Sequence, residues 1–175
     1  MKNVIFSIFV LAVVAFASSC MKPQTTTADP GKASVTLHLG INYDETNDTS
    51  YAGNFETVYE NVPSGTVIQF IMDSRDLQEN PVNNYDYDML TYTGTVDANG
   101  DVIVELPAIA DPASVEVKFP DLELTNRYDG TSALTGEDTV FTELVIYTKN
   151  NQFLSVWDGA VLIQDHFYNL SLIHI

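Results

Sequence analysis

The chain has one cysteine in 175 residues, so no disulfide can form within it. Stability must come from burial, and the roughly 145 residues after the first thirty can bury enough apolar surface to offset chain entropy without cross-links. Basic residues are scarce, at 7 lysines and arginines against 24 aspartates and glutamates, a formal charge of −17. Proteins gain affinity for nucleic acid by releasing its counterions to lysine and arginine, so this balance argues against a nucleic-acid partner. It would also push the domain off an anionic membrane face. Beyond residue 20 there is no long apolar run and no capped stripe of 3.6-residue period. A Gly-x-Ser-x-Gly nucleophile motif and the His-x-x-x-His or cysteine spacing of a zinc site are both missing, and no cofactor is implied.

The apolar material at the start has its own logic. Lys2 precedes the run from Val4 to Phe16, broken only by Ser7, and Ala17-Ser18-Ser19 leads into Cys20. A basic residue, a short apolar core and small residues make a signal peptide, shorter than the ~20 residues of a membrane span. Residues 1–19 are expected to be removed, and the motif ending at Cys20 resembles the bacterial lipobox, which implies Cys20 as the lipidated new N-terminus. Residues 20–32 contain Pro23, Pro30 and Thr25-Thr26-Thr27, too polar to order themselves, and read as a flexible linker. The domain is expected to run over 33–175.

From Ala33 the period becomes two. Val35, Leu37, Leu39 and Ile41 alternate with Thr36, His38, Gly40 and Asn42. Glu56 to Asn61 reads as a short strand, and Thr66 to Met72 as a central one, rich in β-branched and aromatic residues. Met89 to Val96 and Val102 to Leu106 flank Asn99-Gly100, a hairpin signal, with Pro107 ending the second arm. Ser114 to Phe119 alternates again. Asp121 to Asp138 reads as a long polar connection, with an edge strand around Leu122 to Thr125. Val140 to Thr148 and Gln152 to Trp157 read as a second hairpin about Lys149-Asn150-Asn151, followed by strands from Ala160 to Gln164 and from His166 to Ile175. Seven to nine short strands predict an all-β fold, a single antiparallel β-sandwich of Ig-like or transthyretin-like kind.

The cysteine motif and threonine-rich tether, together with the final strand Phe167-Tyr168-Asn169-Leu170-Ser171-Leu172, resemble Bacteroidota surface lipoproteins. The resemblance is to those with transthyretin-like (prealbumin-like) or fimbrillin-like β-sandwiches. It implies an adhesive, pilus-associated or glycan-handling protein, exported and lipid-anchored to the outer membrane. Ala17 stands where the lipobox usually has leucine, and only Lys32 stands where a cleaved pilin would carry arginine. Asp138-Thr139-Val140 resembles the O-glycosylation motif of such proteins, with Thr139 as acceptor.

Tyr51, Tyr85, Tyr87 and Tyr128 fall in polar loops, where an exposed ring can stack on a sugar or anchor a protein, or fold back to cap the core. Asp97, Asn99 and Asp101 offer oxygens to a hard cation but lack the further ligands of a calcium loop, and a β-turn accounts for them. Asp44, Glu45 and Asp48 could join Asp86 and Asp88 in a composite cation site if the fold brought their loops together. His38, His166 and His174 read as strand residues. The expectation is a non-enzymatic surface module binding a glycan or protein, or an accessory or anchor subunit of a surface filament. A polysaccharide hydrolase would need two carboxyls facing across a cleft, which spacing alone does not reveal.

Overall fold

Strand β1 (Gly31–Ile41) shows how alternation builds the core. Ala33, Val35, Leu37, Leu39 and Ile41 are buried on one face, while the residues between them face outward. Fully burying an aliphatic side chain of this size contributes about 1.5–3 kcal/mol. The computed structural model describes residues 30–51 and 54–171. Cys20, the expected signal peptide, nearly all of the expected linker, the Tyr51 side chain and His174 lie outside the described residues. The linker was expected to reach residue 32, but Gly31 and Lys32 already belong to β1, paired with Ala108 and Pro107.

The remaining strands are β2 (Thr49–Tyr51), β3 (Asn54–Glu56), β4 (Glu60–Asn61), β5 (Val67–Asp73), β6 (Met89–Thr95), β7 (Asp101–Ala108), β8 (Ala113–Lys118), β9 (Leu122–Thr131), β10 (Asp138–Thr148), β11 (Gln152–Val156) and β12 (Val161–Leu170). The protein is all-β, with a sandwich-like arrangement of one larger and one smaller sheet. The larger sheet runs β4-β1-β12-β10-β9, and β7 pairs β1 on the side where β4 also sits. The smaller sheet runs β11-β8-β5-β6, and β2 with β3 forms a separate ribbon. Between the two main sheets, Leu37, Ile41, Leu106, Ile68, Phe70, Met72, Val115 and Val117 pack in one cluster. No helix among the described residues is long and apolar enough to cross a membrane.

Several expectations are corrected. Twelve strands replace seven to nine, partly because β2, β3 and β4 are two or three residues long. The pairing is mostly antiparallel, but β1 and β12 pair in parallel from Ser34↔Val161 to Ile41↔Tyr168. Neither expected hairpin forms a ladder. β6 pairs β5 while β7 pairs β1, so the Asn99-Gly100 turn carries the chain from one sheet to the other. Gly100 does adopt the positive φ of +83° that the turn signal implied. Likewise β10 stays in the larger sheet and β11 joins β8 in the smaller one.

The hairpin partner of β10 is β9, paired from Leu122↔Tyr147 to Thr131↔Asp138, within the stretch read as a polar connection. Only alternate residues there are half-buried or buried, which hides the strand among charged neighbours. Pro107 does not end β7, which continues to Ala108 as an edge strand, where a missing N–H is tolerated. The two strands expected after Gly159 are one, β12. Thr66 to Met72 is central as expected, since β5 pairs both β6 and β8.

Candidate functional site

The sandwich has two ends, and the sequence-predicted residues are divided between them. Gly31, Ala108 and Ala113 mark the lower end; Ile41 and Gly100 mark the upper. The Ser74–Asp88 loop lies at the lower end, held by Asp76, whose Oδ2 accepts from Ser114 N–H at 3.2 Å. There the Tyr85 and Tyr87 rings meet edge to face, 4.8 Å apart, and the Tyr87 hydroxyl accepts from Val82 N–H at 2.7 Å. With Arg75, Asn83 and Asn84 they line a shallow depression of about 230 Å³.

Tyr128 lies at the upper end, half-buried in β9, stacked on Phe141 at 5.6 Å. The backbone of Tyr51 pairs with Asn54 in the β2–β3 ribbon. The fold therefore does not gather the four tyrosines into one surface. Thr139 is exposed near the start of β10, opposite Gly130, and its neighbour Asp138 accepts from the Thr131 hydroxyl at 3.1 Å.

The cation candidates are spoken for by other contacts. Asp97 Oδ1 accepts from Asn99 N–H at 2.8 Å and Asp101 N–H at 2.9 Å. The Asp101 N–H, then the Asn99 N–H, hold its carboxyl below the usual range. The Asp101 side chain turns away to His38, so Asp97, Asn99 and Asp101 do not converge. The composite site does not form either, because Asp44, Glu45 and Asp48 lie at the upper end and the loop holding Asp86 and Asp88 at the lower. Asp44 accepts from Thr46 and Arg127, Glu45 from Asn126, and Asp48 from Asn42 and Val58. The Thr46 hydroxyl, then the Arg127 charge, lowers the Asp44 pKa. Among the described residues no three histidine, cysteine, aspartate or glutamate side chains are grouped to hold a metal ion.

A different group was not anticipated, and register creates it. On the outer face of the larger sheet, β7, β1 and β12 align Asp101, His38 and Asp165 in one row. The next row toward the upper end aligns Asn61, Gly40 and Phe167 across β4, β1 and β12. His38 Nδ1 bonds Asp101 Oδ1, and that hydrogen bond raises the histidine pKa, with the field of Asp165 adding to it.

Phe167 lies over Gly40, where a Cβ would come within 2.7 Å of the ring. Glycine at this position lets the ring settle onto the backbone. Tyr59 packs against the other aromatic at 4.3 Å between centroids, tilted by 40°. The rings stay 47% and 41% exposed, for Tyr59 and Phe167 respectively. Together with Asn61 and Asn99 they line a shallow depression of about 170 Å³. Apolar ring faces beside carboxylate, imidazole and amide groups can stack on the C–H face of a sugar while the polar groups bond its hydroxyls. Only the outward parity of His38 and Gly40 was available in the sequence; the strands that bring Asp101, Asp165 and Phe167 alongside are distant along the chain.

Comparisons with protein-family models, with curated proteins and with solved structures find no match to this chain.

Proposed function

We propose that this domain is a non-enzymatic glycan-binding module of a bacterial surface, tethered to the outer membrane through lipid on Cys20. The observation that carries the reading is the exposed Tyr59–Phe167 pair beside His38, Asp101 and Asp165 on an otherwise regular sheet face. Exposed aromatic surface costs solvation unless something covers it, and here polar groups surround it on three strands. The depression is open and shallow, which suits the side of a chain of sugars more than a reaction needing exclusion of water. A lipidated Cys20 followed by a polar linker would display such a face away from the bilayer.

The test is a glycan array on the domain, followed by calorimetry on each hit with Phe167→Ala and Tyr59→Ala. Loss of one stacking ring is expected to weaken binding about tenfold, or about 1.4 kcal/mol, with an unchanged circular-dichroism spectrum. Silence across the array, or hits whose affinity ignores both substitutions, would sink the glycan reading. The tether is tested separately: Cys20→Ser is expected to move the protein out of the membrane fraction.

A further inference from the structure

Among the described residues, strand β12 has a neighbouring strand on only one side for most of its length. Alternate residues of a strand turn their N–H and C=O groups to opposite sides. Ser34 N–H donates to Ala160 O at 2.8 Å, so Ala160 and the even-numbered residues after it face β1. Ser171 N–H donates to Ile146 O at 2.8 Å, and Asn169 pairs with Thr148, so the odd-numbered residues face the β10 side. β10 ends at Thr148, and the chain then leaves for the smaller sheet as β11. Val161, Ile163, Asp165 and Phe167 thus direct their backbone groups to an edge that β10 has left, with no strand opposite them among the described residues.

Both faces beside this edge show what would fit. On the outer face Val161 and Ile163 are 70% and 64% exposed, and Asp165 forms no salt bridge among the described residues. On the inner face His166 Nε2 and Tyr168 Oη are buried without a hydrogen-bond partner among the described residues, in residues only 7% and 2% exposed. A buried polar atom left unpaired costs about 1–3 kcal/mol, so a side chain that reached these atoms would gain from them.

We propose that the β12 edge takes up an extended segment of a partner protein as an added strand, beside the glycan depression, with which it shares Asp165 and Phe167. The segment would carry a basic side chain over Asp165 on the outer face and hydroxyl-bearing side chains toward His166 and Tyr168 on the inner. Main-chain hydrogen bonds supply affinity in this mode, and alternate side chains supply selectivity. A second copy of the chain is the poorer occupant, since it would set a charge of −17 against −17.

The probe is an end-blocked peptide of about nine residues alternating lysine and threonine, with a glutamate–threonine peptide as control. Binding to the full chain is followed by calorimetry and by amide hydrogen exchange. The lysine peptide is expected to bind and to slow exchange at Val161, Ile163, Asp165 and Phe167. Ile163→Pro removes an N–H that faces the open edge and none that faces β1, so it is expected to fold and to bind at least about tenfold more weakly. Should that variant not fold, the exchange pattern of the wild-type chain decides. Equal affinity in Ile163→Pro, or binding without protection of those amides, would show attraction by charge alone and overturn the proposal. So would a wild-type dimer that protects the same amides with no peptide present.

Discussion

His166 is buried on the inner face of β12 beside Phe119, their rings 5.4 Å apart, and among the described residues has no partner for Nε2. Burial, then the positive charge of Lys149, pushes its pKa below the ordinary value, with Asp165 opposing. The folded chain therefore resists protonating it. Its contribution is complete above the unfolded value of about 6.5 and declines as pH falls toward the lower folded value. His38 has the opposite sign, because the Asp101 hydrogen bond raises its pKa. Its contribution is present below about 6.5 and is lost as pH climbs through the raised folded value. His166→Leu is thus expected to lose less stability than wild type between about pH 7.5 and about pH 5, read from urea midpoints. An unchanged pH dependence in that variant would show that His166 is not the group responsible. Tyr147, buried and bonded through its hydroxyl to Asn126 Oδ1 at 3.1 Å, is pushed up to about 12 chiefly by burial, so it stays neutral throughout this range.

At the scale of elements, β6 and β7 show how a correct turn can join strands that do not pair. Gly94 of β6 has its missing Cβ replaced by the Val102 side chain of β7, which occupies that space. The two strands meet side chain against backbone across the sandwich instead of edge to edge. Gly94→Ala is expected to cost about 1–3 kcal/mol, the usual cost of overpacking, read by urea unfolding. Combining it with Val102→Ala should cost less than the sum of the two single changes, because the smaller neighbour vacates the space. Strict additivity would mean that the two residues do not share that space in solution. The same sheet switching at Lys149–Asn151 leaves Val161, Ile163, Asp165 and Phe167 of β12 with no strand opposite them among the described residues. One connection thus joins the two sheets and exposes an edge.

For the whole molecule, stability is concentrated between the sheets and absent from the far part of the β9–β10 arm. Asn126 and Tyr147 are the arm's buried residues, and beyond them toward the tip it is half-buried or exposed, with Leu134 fully in solvent. Replacing residues 129–140 by a short turn is expected to change unfolding free energy by no more than about 0.5 kcal/mol, since surface changes away from packed features have little effect. A loss of several kcal/mol on chemical denaturation would show that the arm tip supports the core. The −17 charge acts at this scale too. It favours solubility and approach of basic partners, and it weakens with salt.

Alternation alone determined the fold class, because Val35, Leu37, Leu39 and Ile41 can be hidden together only if the chain is extended and one face is covered. Alternation also placed β8, a β-branched and aromatic apolar run placed β5, and Asn99-Gly100 located the turn, since period, composition and turn chemistry are local properties. Which strands became neighbours was decided only in three dimensions. The parallel meeting of β1 with β12 depends on contacts more than a hundred residues apart, and local spacing carries no record of them. For that reason the Tyr85 and Tyr87 loop could be named from the sequence, while the row of Asp101, His38 and Asp165 under Phe167 could not. A site made by register exists only once the sheets have closed.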